Sequence, residues 1–236
     1  MSAVTDSYTE IPEVEILLLG DPDVGKSTFL SRLMLGTQPT SAAENEKLPP
    51  YSLPAIHDAF QPLVFNITLY GRPYRFQFSD TASPTPYLEL KPHFIILCFD
   101  ITNRRSLQNV KTWRYLVEST YNIDESRPVM VLGLKRDLRR EWPVEDKETG
   151  VDTSCALEGD AEGDAEGDAE GEKEDTRHVM PDEGLGMAQK LRCDRYAECS
   201  AVTGELCMQV LEDIARTAAK TTTEKGGRSG EYCTVM

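Results

Sequence analysis

Apolar residues in this chain fall into two rhythms that alternate along its length. Val14 to Leu19 is apolar but for Glu15, and Phe94 to Phe99 and Val129 to Leu132 are unbroken apolar runs. That is the pattern of strands buried on both faces. Val64 to Leu69 and Tyr74 to Ser79 flank Tyr70-Gly71-Arg72-Pro73, whose glycine and proline mark a turn, so they predict a hairpin. Tyr196 to Cys199 predicts a last strand. The second rhythm is helical. It covers Ser27 to Leu35, then Ser106 to Tyr121 (Leu107, Val110, Trp113, Leu116, Val117), then Leu206 to Ala219 (Val210, Leu211, Ile214, Ala218). Alternation of this kind predicts an α/β fold with a mostly parallel six-stranded sheet and helices on both faces. In such folds ligands bind beyond the carboxyl ends of the strands.

Two segments carry neither rhythm. Thr37 to Pro54 is polar and rich in Ser, Ala and Pro, and reads as a long loop. Residues 145–175 contain Gly-Asp-Ala-Glu three times in tandem, from Gly159 to Glu170. With little to bury, this acidic insert is expected to be disordered, and it lacks the spacing of a calcium loop. It also dominates the charge. The 236-residue chain has 25 basic and 40 acidic residues, for a net −15, and Glu158 to Asp175 supplies ten acids against one lysine. The remainder is only mildly acidic and offers no electrostatic footprint for nucleic acid. Six scattered cysteines form no CxxC pair, which argues against a zinc site or a disulfide framework. Cys98 and Cys199 lie in apolar strand-like runs and read as reduced core residues of a cytosolic protein. No signal peptide is visible in residues 1–12, which are expected to be disordered, and no apolar run is long enough to span a bilayer.

The candidate chemistry begins where the first strand ends. Gly20-Asp21-Pro22-Asp23-Val24-Gly25-Lys26-Ser27, followed by Thr28, has the Gly-x4-Gly-Lys-Ser spacing of a phosphate-binding loop set between a strand and a helix. Its backbone N–H groups and the helix N-terminus suit an anion. Lys26 can reach the β- and γ-phosphates, and the Ser27 hydroxyl can ligate Mg2+.

Four further segments follow in order, three of them at strand ends and the one from Met180 ahead of the last strand. These are Asp80-Thr81-Ala82, Leu134-Lys135-Arg136-Asp137, Met180-Pro181-Asp182-Glu183-Gly184 with Met187-Ala188, and Glu198-Cys199-Ser200-Ala201. With the phosphate loop they resemble a small GTPase of the Ras superfamily, most closely the Rho family, from about Val14 to Ala219. The resemblance implies a P-loop NTPase of the small G-protein fold that binds GTP and GDP with Mg2+. It implies a G domain over residues 13–220 that carries the loop 37–54 and the insert 145–175. Lys26 and Ser27 would serve phosphates and metal, with Asp80 holding the metal through water. Asp137 would accept the guanine N–H groups, Lys135 would lay its stem along the base, and the Ala201 N–H beside Ser200 would face the guanine oxygen. Effector proteins, exchange factors and a prenyl-binding dissociation inhibitor are the partners that the resemblance implies.

Departures from the family pattern bear on the reaction. The water-orienting glutamine falls at Pro84 and the glycine before it at Ser83, while the first-switch threonine falls at Ala55. Inside the phosphate loop Pro22 replaces a glycine and Asp23 a small residue. Leu134 stands where the guanine-reading asparagine belongs, and Val202 where a lysine belongs. Slow or lost hydrolysis is the expectation, with no confident catalytic residue. Residues 221–236 end in Cys233-Thr234-Val235-Met236, which fits a prenylation signal and predicts reversible attachment to a cytoplasmic membrane face, cycling with the cytosol. Two other readings stand beside a membrane-anchored GTPase switch. One is a pseudo-GTPase binding module without nucleotide-dependent switching, and the other is a P-loop kinase.

Overall fold

The computed structural model describes residues 11–36, 53–54, 56–57, 60–83, 85–121, 127–139 and 177–222. Ala55, Pro84, the insert 145–175, the N-terminus 1–10 and the tail with Cys233 lie outside the described residues, as does the loop 37–54 except for Leu53 and Pro54.

Six strands form one sheet. They are β1 (Glu13–Leu19), β2 (Leu63–Leu69), β3 (Arg72–Asp80), β4 (Phe94–Asp100), β5 (Val129–Leu134) and β6 (Arg195–Glu198), in the spatial order β2-β3-β1-β4-β5-β6. Only β2 runs antiparallel to its neighbour. The helices are α1 (Lys26–Gly36), α2 (Arg104–Thr120), α3 (Pro181–Lys190) and α4 (Cys207–Ala219). This is the doubly covered α/β sheet of a small G protein.

The period of two explains why the central strands are apolar from Ile16 to Leu19 and from Phe94 to Phe99. Val14, Ile16 and Leu18 of β1, with Phe94, Ile96 and Cys98 of β4, pack toward α1 and α4. Leu17 and Leu19, with Ile95, Leu97 and Phe99, pack toward α2 and α3. Burial on both faces leaves no polar position in either strand's centre. The edge strand β2 alternates instead, with Leu63, Phe65, Ile67 and Leu69 buried and Val64 and Asn66 exposed. In α4 the buried residues Cys207, Val210, Leu211, Ile214 and Ala218 form one stripe at helical spacing. Burial holds the Cys98 thiol protonated by pushing its pKa up to about 12, as befits an inert core cysteine.

Two local features differ from the sequence reading. The hairpin turn is tighter than Tyr70 to Pro73, because Tyr70 (φ 51°) and Gly71 (φ 75°) make a two-residue turn and β3 begins at Arg72. Two positive φ values match the twist of the flanking strands. Helix α3 was not expected as a helix, since Gly184 and Gly186 lower its intrinsic propensity. Its start is fixed instead by Pro181 and by the Glu183 carboxylate, which accepts from Met180 N at 2.8 Å and pairs with Arg104. Gly184 is required there, because a Cβ would lie 2.1 Å from the Tyr196 hydroxyl. The crossover 81–93 from β3 to β4 holds no α-helix among its described residues. It has a single 3-10 turn, Tyr87–Glu89, with Tyr87 packed edge-on against Trp113 of α2 at 6.5 Å.

Candidate functional site

The strand register brings the phosphate loop and Asp80 side by side. β1 and β3 are paired so that Leu18 lies opposite Asp80, and the loop leaves β1 one residue later. Gly20 is needed at that exit. Its φ is 151°, and a Cβ would stand 2.4 Å from the Cys98 carbonyl oxygen. Asp23 (φ 61°) and Gly25 (φ 107°) turn the chain back into α1 through the left-handed region. Pro22 and Asp23 are exposed, while Val24 is buried under the loop.

Lys26 is only 7% exposed, and its ammonium donates to the carbonyls of Gly20 at 2.9 Å and Asp21 at 2.7 Å. Ser27 Oγ donates to Asp80 Oδ2 at 2.7 Å. The other carboxylate oxygen of Asp80 accepts from Gln61 Nε2 at 2.7 Å and from Ala82 N at 2.9 Å. Gln61 closes the exchange by accepting from Asp80 N at 2.8 Å. Ser27 and Asp80 thus present a hydroxyl and a buried carboxylate within hydrogen-bond distance. Hard oxygen donors of this kind suit Mg2+. Among the described residues no cluster of three or more His, Cys, Asp or Glu side chains could hold a metal by itself, so a magnesium here would also need oxygens from outside the protein, such as phosphates and water.

A second set of polar groups gathers at the ends of β4, β5 and β6. Asp100 pairs with Leu134 in register, and Gly133 with Glu198. Beyond β5, Lys135 adopts a left-handed conformation (φ 62°) that carries its ammonium to Asp100 Oδ2 at 2.7 Å. Asp100 is itself held by Thr102, whose N and Oγ1 donate to its Oδ1. Ser200, fully buried, donates to Asp137 Oδ1 at 2.5 Å and accepts from Thr203 N. Arg32 of α1 braces the following loop through the carbonyls of Ala201 and Val202, both at 2.5 Å. These residues border a mostly apolar slot of about 330 Å3, lined by Gly25, Thr28, Leu134, Lys135, Asp137, Leu138, Ala201 and Val202.

The two sets meet at Gly25, where a Cβ would sit 3.8 Å from both the Leu134 side chain and Lys135 Cε. The slot therefore opens beside the phosphate loop. Every residue proposed from sequence that lies in the described region falls in one of these two sets. Three contributors had no sequence signal: Gln61 on Asp80, Asp100 on Lys135, and the clamp on Asp21. That clamp comes from α2, where Asn109 Nδ2 donates at 2.6 Å and Trp113 Nε1 at 2.9 Å to the Asp21 carboxylate.

A family model described as the Ras family matches residues 15–220. The chain belongs to the Ras family. The relatives of this Ras-family chain include Rho proteins. It is 26% identical over 239 aligned residues to GTP-binding protein RHO3 of Saccharomyces cerevisiae, covering 95% of this chain and 94% of that protein. Against GTP-binding protein rho1 of Schizosaccharomyces pombe the identity is 25% over 212 residues, covering 86% and 85%. Against the Rho-related GTP-binding protein RhoD of Homo sapiens it is 27% over 157 residues, covering 62% and 68%. At about a quarter identity over most of its length, this is a divergent Rho-like small GTPase of the Ras family.

Proposed function

We propose that this chain is a guanine-nucleotide-holding signalling protein whose hydrolytic step is slow or lost. The observation that carries this reading is the meeting at Gly25 of the phosphate loop and the apolar slot rimmed by Asp137 and Lys135. Residues 13–220 serve as one G domain and 221–236 as its tail. Gly20 to Thr28 wrap the phosphates with backbone N–H groups, and Lys26 moves its charge from the loop carbonyls to a phosphate oxygen. Ser27, and Asp80 through water, would hold Mg2+, which would supply charge neutralisation at the phosphates. The base lies in the slot with Asp137 Oδ2 toward its N–H groups, while Ser200 fixes the other carboxylate oxygen. The stem of Lys135 borders the ring, and the Ala201 N–H faces the guanine oxygen.

Leu134 weakens this site without abolishing it. Its side chain is 1% exposed and cannot hydrogen-bond. A missing buried polar partner costs about 1–3 kcal/mol, or roughly tenfold or more in affinity. Pro84 at the water-orienting position has no polar side-chain group to align the attacking water, which acts on the barrier and not on binding. Prenylation at Cys233 gives reversible membrane attachment, and no helix among the described residues is long and apolar enough to cross a membrane. Effectors, exchange factors and a prenyl-binding dissociation inhibitor are the partner classes that fit this reading.

A second reading has one observation in its favour. Gln61 satisfies both the N–H and a carboxylate oxygen of Asp80, so the site is internally bonded, as a pseudo-GTPase binding module would be. Titration calorimetry with GDP, a non-hydrolysable GTP analogue and ATP, each with Mg2+, separates the two. The GTPase reading predicts heat with both guanine nucleotides and much less with ATP. Absence of heat with all three would leave the binding-module reading.

A further inference from the structure

At the end of the sheet away from the phosphate loop, the C-terminal halves of α2 and α3 and the entries to β5 and β6 enclose a cleft of about 400 Å3. Five of its lining residues are basic: Lys111, Arg114, Arg127, Lys190 and Arg192. Its two acids are already engaged. Asp194 accepts from Val129 N at 2.7 Å, and Glu118 lies 3.3 Å from Arg114 Nη2. No ion pair among the described residues engages Lys111, Lys190 or Arg192. In a chain of net −15 this is a local concentration of positive charge.

Two of these cations are held at a local cost. Arg114 occupies the core-facing stripe of α2, between Val110 and Val117, and is 8% exposed. Its Nε donates to Leu191 O at 3.1 Å, but its Nη1 is buried with no hydrogen-bond partner. A buried guanidinium N–H left unpaired is destabilising, and an apolar residue would fill that stripe without the penalty. Arg192 closes α3 in the left-handed conformation (φ 51°), with Arg192 N donating to Gln189 O and Cys193 N to Ala188 O. Glycine is the usual residue at that cap, because a side chain in the left-handed region is strained. Tyr115 stands on the rim, 72% exposed.

We propose that this α2–α3 cleft binds a compact, multiply phosphorylated anion of the inositol-phosphate class, free or as a lipid headgroup. Arginine forks and lysine ammonium groups converging on one cavity match several phosphate groups on a small ring, each contact being a charge-assisted hydrogen bond. The cavity volume is that of a small-molecule site. The site is independent of the nucleotide, lying at the opposite ends of the strands.

The test uses the full chain with GDP and Mg2+ present, titrated with inositol hexakisphosphate. Binding is expected to weaken as salt is raised. It is expected to persist in Lys26→Ala, which separates it from the phosphate loop. The exposed double variant Lys190→Glu, Arg192→Glu is expected to lose about tenfold or more in affinity while nucleotide binding and the melting temperature stay unchanged. Arg114→Met is expected to weaken binding as well. Should that variant fail to fold, the surface pair carries the test alone. Co-sedimentation of the Cys233→Ser chain with phosphatidylcholine vesicles, with and without phosphatidylinositol bisphosphate, identifies the source. Headgroup-dependent binding points to the lipid, and binding of the soluble phosphate alone points to the free form. No binding of the soluble probe or of the vesicles, or equal affinity in the charge-reversed double variant, would overturn the proposal.

Discussion

The phosphate end and the base end of the candidate site have kept different things. At the phosphate end the described polar groups are bonded to one another, with Lys26 on the loop carbonyls, Ser27 on Asp80 and Asp80 on Gln61, while the departures in sequence stand around them at Pro22, Asp23, Ala55, Ser83 and Pro84. At the base end the scaffold of polar bonds survives, with Ser200 on Asp137 and Lys135 on Asp100, but the residue between the loop and the base has become Leu134. Binding strength in such a site comes largely from charge at the phosphates, and selectivity from hydrogen bonds at the base. The two ends can therefore diverge separately.

The largest effect should come from the phosphate end. Lys26→Ala removes a buried ammonium whose contacts are charge-assisted. Calorimetric titration is expected to show about 100-fold weaker binding of GDP and GTP alike. A loss below threefold would mean that the phosphates do not meet Lys26. Next comes Gln61→Ala, which leaves Asp80 N without its partner and removes one of the two hydrogen bonds to Asp80 Oδ1. Unfolding in urea is expected to show a loss of about 1–3 kcal/mol, partly recovered with Mg2+ and GDP if metal and nucleotide share Asp80. Stability unchanged by the substitution would remove Gln61 from the account.

A smaller effect tests whether α2 supports the loop. Trp113→Phe keeps the ring against Tyr87 but deletes the hydrogen bond to Asp21. A cost of about 1 kcal/mol in nucleotide binding is expected, read by titration, with Asn109 still holding the other oxygen. The smallest effect lies on α3. The Arg104 hydrogen bond holds the Glu183 carboxyl below its ordinary value, with burial opposing and Met180 N–H and the Arg104 charge adding to the shift. The folded pKa is thus below the unfolded one, and folding binds fewer protons there. This contribution is fully present above the unfolded value and is lost as the pH falls through the folded value. Glu183→Gln is expected to flatten the dependence of melting temperature on pH below about pH 5. A pH profile identical to that of the unaltered chain would show that the pair is screened by solvent.

How much of this was legible follows from where each residue's role resides. β1, β4 and β5 could be read because burial on both faces writes itself as an unbroken apolar run. The phosphate loop could be read because its chemistry needs fixed spacing. Gln61 could not, because its partner lies in a different strand and any buried amide might occupy that position. Helix α3 escaped because Gly184 serves a close approach to Tyr196, a tertiary demand that overrides propensity. The Asp21 clamp was hidden for a related reason. Aspartate in a loop usually reads as solvated, and only the packing of α2 brings Asn109 and Trp113 to it. Arg114 broke the apolar stripe of its helix, and that irregularity was the one sequence trace of the α2–α3 cleft.

That Leu134 weakens guanine binding is tested most directly by titrating GDP, with Mg2+, into the unaltered chain and into Leu134→Asn. The account predicts that both bind GDP, and that the asparagine variant binds it about tenfold more tightly with no matching gain for ATP. Equal GDP affinity in the two proteins, or no binding in either, would contradict it.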